Sequence, residues 1–417
     1  MAAGAASERE AAVGPGTPAP SYSAMVAARF AQRRLAVFGG RAVLGLALLA
    51  TLAPALAQNQ PFYWDAGQGA ELPWLSALFN RLLFENAVDL FFNLLLVLAV
   101  PAALVIRLLR RLRPGLTRAR AWLGALGVAL SLFVCASVEG VGDLKNPLYF
   151  TQRVVNYRVE RERLAALGQE PVAWFPVVPY SYRETDPQHS LRSPSSEHWL
   201  GTDSEGRDVF CRMLYGTRVS LTIGIVAVSI YVAIGTALGA LAGYFGGWVD
   251  TLICRLVEVM ITFPSFFLIL TLAALIPRRS IFHVMLIIGL TSWTGVARLV
   301  RAEFLRQKNL DYVQAALALG LPRRRVIFRH ILPNAIAPAL VAATFGIASA
   351  ILTESSLSFL GVGDMSVASW GETLSAGRVQ QKAWLVLAPG AAIFFVVTVF
   401  NLVGEGVRDA LDPKLRQ

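Results

Sequence analysis

At 417 residues, 55% of them hydrophobic and 16% charged, with a mean hydropathy of +0.54, the chain is too apolar for an ordinary soluble domain. Its apolar residues gather in several long runs, so the composition excludes a soluble enzyme and points to an all-α polytopic membrane protein. The net charge of +11 does not mark a nucleic-acid binder, because Lys and Arg cluster in short segments between apolar runs, where cytoplasmic loops meet anionic lipid.

Residues 1–24 are rich in Ala, Gly, Pro and Ser, lack apolar periodicity, and read as a disordered cytoplasmic tail. The first run, Ala36 to Ala57, follows Arg29, Arg33 and Arg34 and ends on an Ala-x-Ala at Ala55–Ala57 that resembles a signal-peptidase site. It lies far from the start for a signal peptide, so an uncleaved membrane helix is expected. Further runs fall near 87–107, 121–139, 219–243, 249–276, 282–302, 334–357 and 384–405, each close to the roughly 20 residues that cross a bilayer core.

About eight crossings place both termini on one side. Arg107, Arg110, Arg111, Arg113, Arg118 and Arg120 crowd the loop between the second and third runs and mark it as cytoplasmic. Counting from there puts both termini and residues 298–333 inside, along with Arg408, Lys414 and Arg416. Arg278 and Arg279 fall outside against the rule, as do Arg207, Arg212 and Arg218 beside the 140–218 segment. That external segment mixes Tyr149, Tyr157, Trp174, Tyr180, Tyr182 and Trp199 with prolines and is expected to be packed; Glu160 to Leu167 reads as a short surface helix. Cys135, Cys211 and Cys254 are scattered, as are His189, His198, His283 and His330, which argues against a disulfide framework or a zinc site.

The stretch from Asp311 to Pro338, "DYVQAALALGLPRRRVIFRHILPNAIAP", is too charged to span and too regular for a loop. Leu310, Val313, Leu317 and Gly320 share one helical face, and Ala315, Ala316 and Ala318 keep that helix slim. Gly320 suits a helix stop and Pro322 the first turn of a second helix. Two short helices at an angle follow. A helix lying on lipid would need bulky anchors, and residues 311–320 offer mainly alanine, so docking into a partner's groove is the better reading.

"YVQAALALG" followed by "RHILPN" resembles the EAA loop of ABC-importer permeases. "HWLGTDSEGRDVFCRMLYGTRVSL", "GYFGGWVD", "LTESSLSFLGVG", "SWGETL" and "GEGVRDALDPKLR" resemble the second permease subunit of dipeptide and oligopeptide importers over about residues 198–417. "VRAEFLRQKNLDY" and Glu405 lean toward the microcin C importer branch. The resemblance implies a type I permease core starting with the helix at 121–139, carrying an external region at 140–218 and a core at 219–417 with its coupling loop at 303–333. Residues 25–120 would then supply two additional N-terminal helices. It also implies that Ala315, Ala316, Gly320, Leu332 and Pro333 seat in an ATPase subunit. Gln314 stands where the family has glutamate, and His330 where the general pattern has isoleucine. The implied partners are ATPase subunits, a second permease and an external solute-binding protein in a bacterial inner membrane. No cofactor is implied. Peptides are the implied solute, although related permeases carry nickel, opines or oligosaccharides.

The chain has no GxxxxGK[ST] phosphate loop, so ATP would be hydrolysed elsewhere. Small residues from Ile234 to Gly247 permit close helix packing, whether static or sliding. Arg255 and Glu258, three apart, are expected to face each other as a structural pair or part of the path. Glu354, near the outer end of its helix beside Ser355 and Ser356, is expected to make an interhelical hydrogen bond or meet solute. "GTDSEGRDV" reads as a turn held by Asp203 and Arg207 rather than a catalytic carboxylate cluster. A secondary transporter driven by an ion gradient would favour paired repeats and mid-membrane carboxylates, neither of which is evident; a membrane enzyme would need a nucleophile or metal cluster.

Overall fold

The protein's structure, a computed structural model, describes residues 22–67, 69–112, 124–125, 127–133, 140–141, 144–145, 154–277 and 279–411. The tail 1–21, Cys135, Tyr149, most of the run at 121–139, Arg113, Arg118, Arg120, Arg278, Lys414 and Arg416 lie outside the described residues.

Among the described residues, thirteen principal helices organise the chain: α1 (Tyr22–Gln32), α2 (Arg34–Leu56), α3 (Ala87–Leu112), α4 (Tyr157–Ala166), α5 (Val209–Phe245), α6 (Gly247–Thr262), α7 (Ser265–Ala274), α8 (Ile281–Thr291), α9 (Trp293–Lys308), α10 (Asp311–Ala318), α11 (Ala337–Phe359), α12 (Trp370–Gln380) and α13 (Ala383–Leu411). Six membrane-length elements are α2, α3, α5, the α8–α9 pair, α11 and α13. The run at 249–276, expected as one crossing, is instead broken: α6 and α7 meet at 79°. Pro264 lacks an N–H, and Phe263 before it is held extended at φ −86°, ψ 129°, so the helix cannot continue. Counted as one span, the bent pair brings the total to seven.

The 37-residue helix α5 is the mast of the bundle, with α2, α6, α8, α9 and α11 packed along it. Its contact with α9 is close because Gly235, Gly239 and Gly243, spaced four apart, form a stripe against Val296, Val300 and Phe304. A Cβ on Gly239 would lie 2.5 Å from the Ala297 carbonyl oxygen and 2.9 Å from Val300 Cβ, so the backbones themselves are the contact. Gly239→Leu is expected to cost about 1–3 kcal/mol or more by overpacking, and Gly239→Ala less. An unchanged melting temperature for purified Gly239→Leu would contradict this packing.

The apolar face of α2 leaves Leu35, Phe38, Leu44, Leu48 and Leu52 exposed, and α3 does the same with Val100, Leu104, Val105 and Leu108. Such faces suit lipid. Their opposite sides pack on the bundle: α2 on α5 and α13, and α3 on α2 and α5. On α13, Gly406 lies under Phe30 and Ala36, and Arg33 pairs with Asp409 at 3.1 Å.

At the opposite end of the bundle from α10, residues 57–86 and 154–208 form a small cap. β1 (Tyr63–Asp65) pairs antiparallel with β2 (Val172–Trp174), Trp64 is buried edge-on to Tyr157, and Tyr180 and Tyr182 are buried. Over residues 154–208 the long segment is therefore packed around Tyr180 and Tyr182, whereas Trp174 and Trp199 are exposed. The expected surface helix is α4, which buries no residue and is capped by Asn156 through the Val159 N–H. Burial, then the hydrogen bond to Glu197, pushes the Tyr180 phenol up, so it stays neutral as a donor at 3.0 Å.

Candidate functional site

The segment after α9 folds as two short helical pieces. α10 ends where Gly320 takes φ +74°, with Gly320 N–H donating to Leu317 O (3.0 Å) and Leu321 N–H to Ala316 O (3.2 Å). This pair of hydrogen bonds closes the helix end in a left-handed turn that glycine adopts at little cost. Pro322 stands just before the next helical turn, at Arg323–Arg325, rather than inside it. Residues Val326–Ile331 then widen to a π-helix ahead of Leu332–Ala335. Pro333 has no N–H for the carbonyl four residues earlier, which explains the local widening.

α10 is held on one side and open on the other. Val313 and Ala316 are buried, whereas Gln314, Ala315, Ala318, Leu319 and Gly320 are exposed, Leu319 at 81%. Tyr312, which sequence reasoning missed, donates its hydroxyl to Gln307 Oε1 at 2.6 Å and receives Asn334 Nδ2 at 3.3 Å. Asn334 Nδ2 also reaches the His330 carbonyl at 2.9 Å. These bonds tie α10 to α9 before it and to the piece leading into α11 after it. Of the six residues named for the joint, Ala316 faces inward, Leu332 is half-buried, and Gln314, Ala315, Gly320 and Pro333 are exposed.

Gln314 has a role that a glutamate could not fill. Its Nε2 donates to the Lys308 carbonyl at 2.8 Å, satisfying an open acceptor at the end of α9. A carboxylate has no such proton. Gln314→Glu and Gln314→Ala are both expected to weaken the α9–α10 elbow by about 0.5–1.5 kcal/mol, read as faster amide exchange across 311–318. Unchanged protection in both variants would contradict this cap.

α9 is braced toward its neighbours. Arg301 forms a bidentate pair with Asp250 of α6 (Nη2–Oδ2 2.7 Å), and Lys308 Nζ donates to the Tyr244 carbonyl at the end of α5 (2.8 Å). One turn before Arg301, Arg298 lines a cavity of about 580 Å³ between α5, α8–α9 and α11, with Tyr231, Ser292, Ser349 and Thr353 among the walls. Tyr231's hydroxyl packs directly on Gly346.

The other sequence candidates stay apart. Arg255 and Glu258 do meet, at 2.6 Å, but their side chains are 73% and 60% exposed on α6. Glu354 is buried and is bonded within α11 by Ser358 (2.8 Å), with Ser355 at 3.5 Å, and it also shares a side-chain hydrogen bond with Ser369 at the start of α12. Asp203 closes the "GTDSEGRDV" turn as its spacing implies, accepting from the Glu205 and Arg207 N–H groups and from Arg207 Nε (2.7 Å). His198 bonds Asp208 at 2.8 Å, and Asp208 caps α5 through the Cys211 N–H.

The three arginines beside the 140–218 segment that offend the charge rule are each paired. Arg207 meets Asp203, Arg212 meets Glu372 of α12, and Arg218 meets Asp89 of α3. Arg218 is fully buried and also donates to Ala50 O at 2.6 Å, with the Phe92 and Tyr215 rings at 5.4 and 5.0 Å. No charge pattern near Arg218 in the sequence points to Asp89, 129 residues away.

Residues 235–417 match the model of the family described as binding-protein-dependent transport system inner membrane component. The dipeptide transport system permease protein DppC of Alkalihalophilus pseudofirmus is 43% identical over 57% of this chain and 78% of its own length. The oligopeptide transport system permease protein OppC of Haemophilus influenzae is 41% identical over 58% and 79% respectively. Among solved structures, the MetNI methionine ABC transporter aligns over 48% of this chain and 96% of its own, at 15% identity and a TM-score of 0.41. With relatives above 40% identity covered over more than three quarters of their length, the chain belongs to the inner-membrane permease components of binding-protein-dependent ABC importers.

Proposed function

We propose that this permease admits peptides or peptide-like solutes and that α10, with the piece up to Pro333, is where its ATPase partner moves it. Family membership carries ATPase subunits and another permease as partners. The peptide solute is supported by the names of the relatives, and an external solute-binding protein by the family's description. Both termini and α10 would lie in the cytoplasm, and the cap outside, in line with the arginines around α1, α9 and α13.

The observation that carries the coupling role is the two-sidedness of α10. A slim exposed face of Ala315, Ala318 and Leu319 can enter a cleft, while Val313, Ala316 and Tyr312 lock the helix to α9 and the start of α11. α9 is in turn inseparable from α5 through the glycine stripe and from α6 through Arg301–Asp250. A push on α10 therefore moves α5, α6, α9 and α11 as one body, the rigid-body mode expected for alternating access. The cavity at Arg298 and Tyr231 lies between these helices, and in this reading it is the chain's contribution to the solute path, completed by the second permease. Arg255, Glu258 and Glu354 would serve as structural polar residues beside it.

The test is purification of the tagged chain from its native membrane in mild detergent, followed by reconstitution with whatever accompanies it. Copurifying ATPase subunits and a second permease, with peptide uptake that needs ATP, are expected. A chain that emerges alone and moves solute down an ion gradient without ATP would overturn the proposal in favour of secondary transport.

A further inference from the structure

A second cavity, of about 710 Å³, lies where α1 meets the coupling segment. Its walls come from α1 (Met25, Val26, Arg29), the α13 end (Arg408, Leu411), and the base of α10 with its neighbours (Arg306, Tyr312, Asn334). Three guanidinium groups line it against one carboxylate, Glu303. That carboxylate is already engaged by Arg306 on both oxygens and by Gln307 Nε2 at 2.7 Å. The nearby Asp409 is taken by Arg33. Arg29 and Arg408 have no acidic partner among the described residues, although Arg29 is half-buried.

Two unneutralised guanidiniums over a cavity bordered by Tyr312 and Asn334, with Met25, Val26, Val341 and Leu411 as apolar sides, describe a receptor for an anionic group on an apolar stem. We infer that this cavity holds the phosphate headgroup of an anionic phospholipid, bridging α1 to the foot of α10. Basic pockets between membrane helices on the cytoplasmic side take such headgroups. A lipid held there would touch both α1 and the Tyr312–Asn334 clasp, and so would set how firmly the joint is seated. The Lys and Arg of the surface at large would attract the same lipids only diffusely.

The test is native mass spectrometry of the full chain, released from nanodiscs containing phosphatidylglycerol in phosphatidylcholine. Wild type is compared with Arg29→Ala/Arg408→Ala and with Arg34→Ala/Arg41→Ala, which removes the same charge outside the cavity. Retained phosphatidylglycerol is expected to fall about tenfold or more in the first variant and less than twofold in the second. Among the described residues none of the four arginines makes an ion pair or side-chain hydrogen bond, so both variants are expected to fold, and unchanged gel-filtration profiles check it. Equal losses in the two variants would show surface attraction alone and overturn the site. Displacement of the lipid by millimolar inorganic phosphate would show that a soluble anion is the occupant and overturn the lipid assignment.

Discussion

Arg218→Ala is expected to destabilise the folded chain by about 3–5 kcal/mol, the usual consequence of removing one member of a buried ion pair. The guanidinium is fully buried and serves three elements at once: the α2 carbonyl of Ala50, the α3 carboxylate of Asp89 (3.0 Å), and the Phe92 and Tyr215 rings. Asp89 is itself engaged on its other oxygen by the Tyr182 hydroxyl of the cap, at 2.9 Å. Truncating Arg218 leaves that carboxylate buried without its cation, and Asp89→Ala leaves the cation without its anion. Each single variant should therefore melt well below wild type. The double variant should melt above the sum of the two losses, because the stranded charge is gone in both partners. Additive losses, or a neutral Arg218→Ala, would show that α2 and α3 are held on α5 by apolar packing alone. The same experiment reports on how α2 and α3 are seated, since this pair is the polar bolt between them and the mast.

Gly320→Val is expected to abolish ATP-driven uptake while leaving membrane insertion intact. The space around Gly320 is open, with nothing within 4 Å of an added Cβ, so the effect is one of backbone conformation rather than collision. At φ +74° a β-branched residue is strained by about 1–3 kcal/mol, enough to offset the two closing bonds of α10. The chain would relax to negative φ, splaying Leu321 and the arginines after it and turning the exposed face of α10 away from its cleft. Asparagine tolerates the left-handed region better than other side chains, so uptake should rank Gly320, then Asn, then Ala, then Val. Full uptake by a well-expressed Gly320→Val would refute the coupling role of this turn.

The membrane-length helices were legible because apolar runs near the span length leave the backbone few alternatives. The α6–α7 bend was not, because an apolar count is blind to one proline; Pro264 was in view, but its neighbours kept the run continuous. The stop at Gly320 follows from glycine chemistry and is found where the spacing puts it, whereas Pro322 falls one position outside the helix it was expected to open. The faces of α10 were half legible: Val313 turns inward as its periodicity implies, but Leu310 is exposed and Ala316, expected at the tip, is buried. Long-range polar pairs were illegible. Arg218–Asp89, Arg212–Glu372 and Arg301–Asp250 each join residues at least 51 positions apart, and a single sequence carries no record of which charges meet. The offence of Arg207, Arg212 and Arg218 against the charge rule was the one available signal. Read as physics, three cations on the wrong side imply three anions waiting for them.

The central claim is that the exposed face of α10 is the surface an ATPase grips, and a photo-crosslinking residue at Leu319 tests it most directly. Leu319 is 81% exposed at the tip of the helix and makes no hydrogen bond through its side chain, so the probe leaves the fold undisturbed. The account predicts a crosslink from position 319 to an ATPase subunit whose yield changes on adding ATP, with none from a control probe at Val177 in the cap. Crosslinks from 319 to lipid alone, in a complex that still hydrolyses ATP and transports, would contradict it.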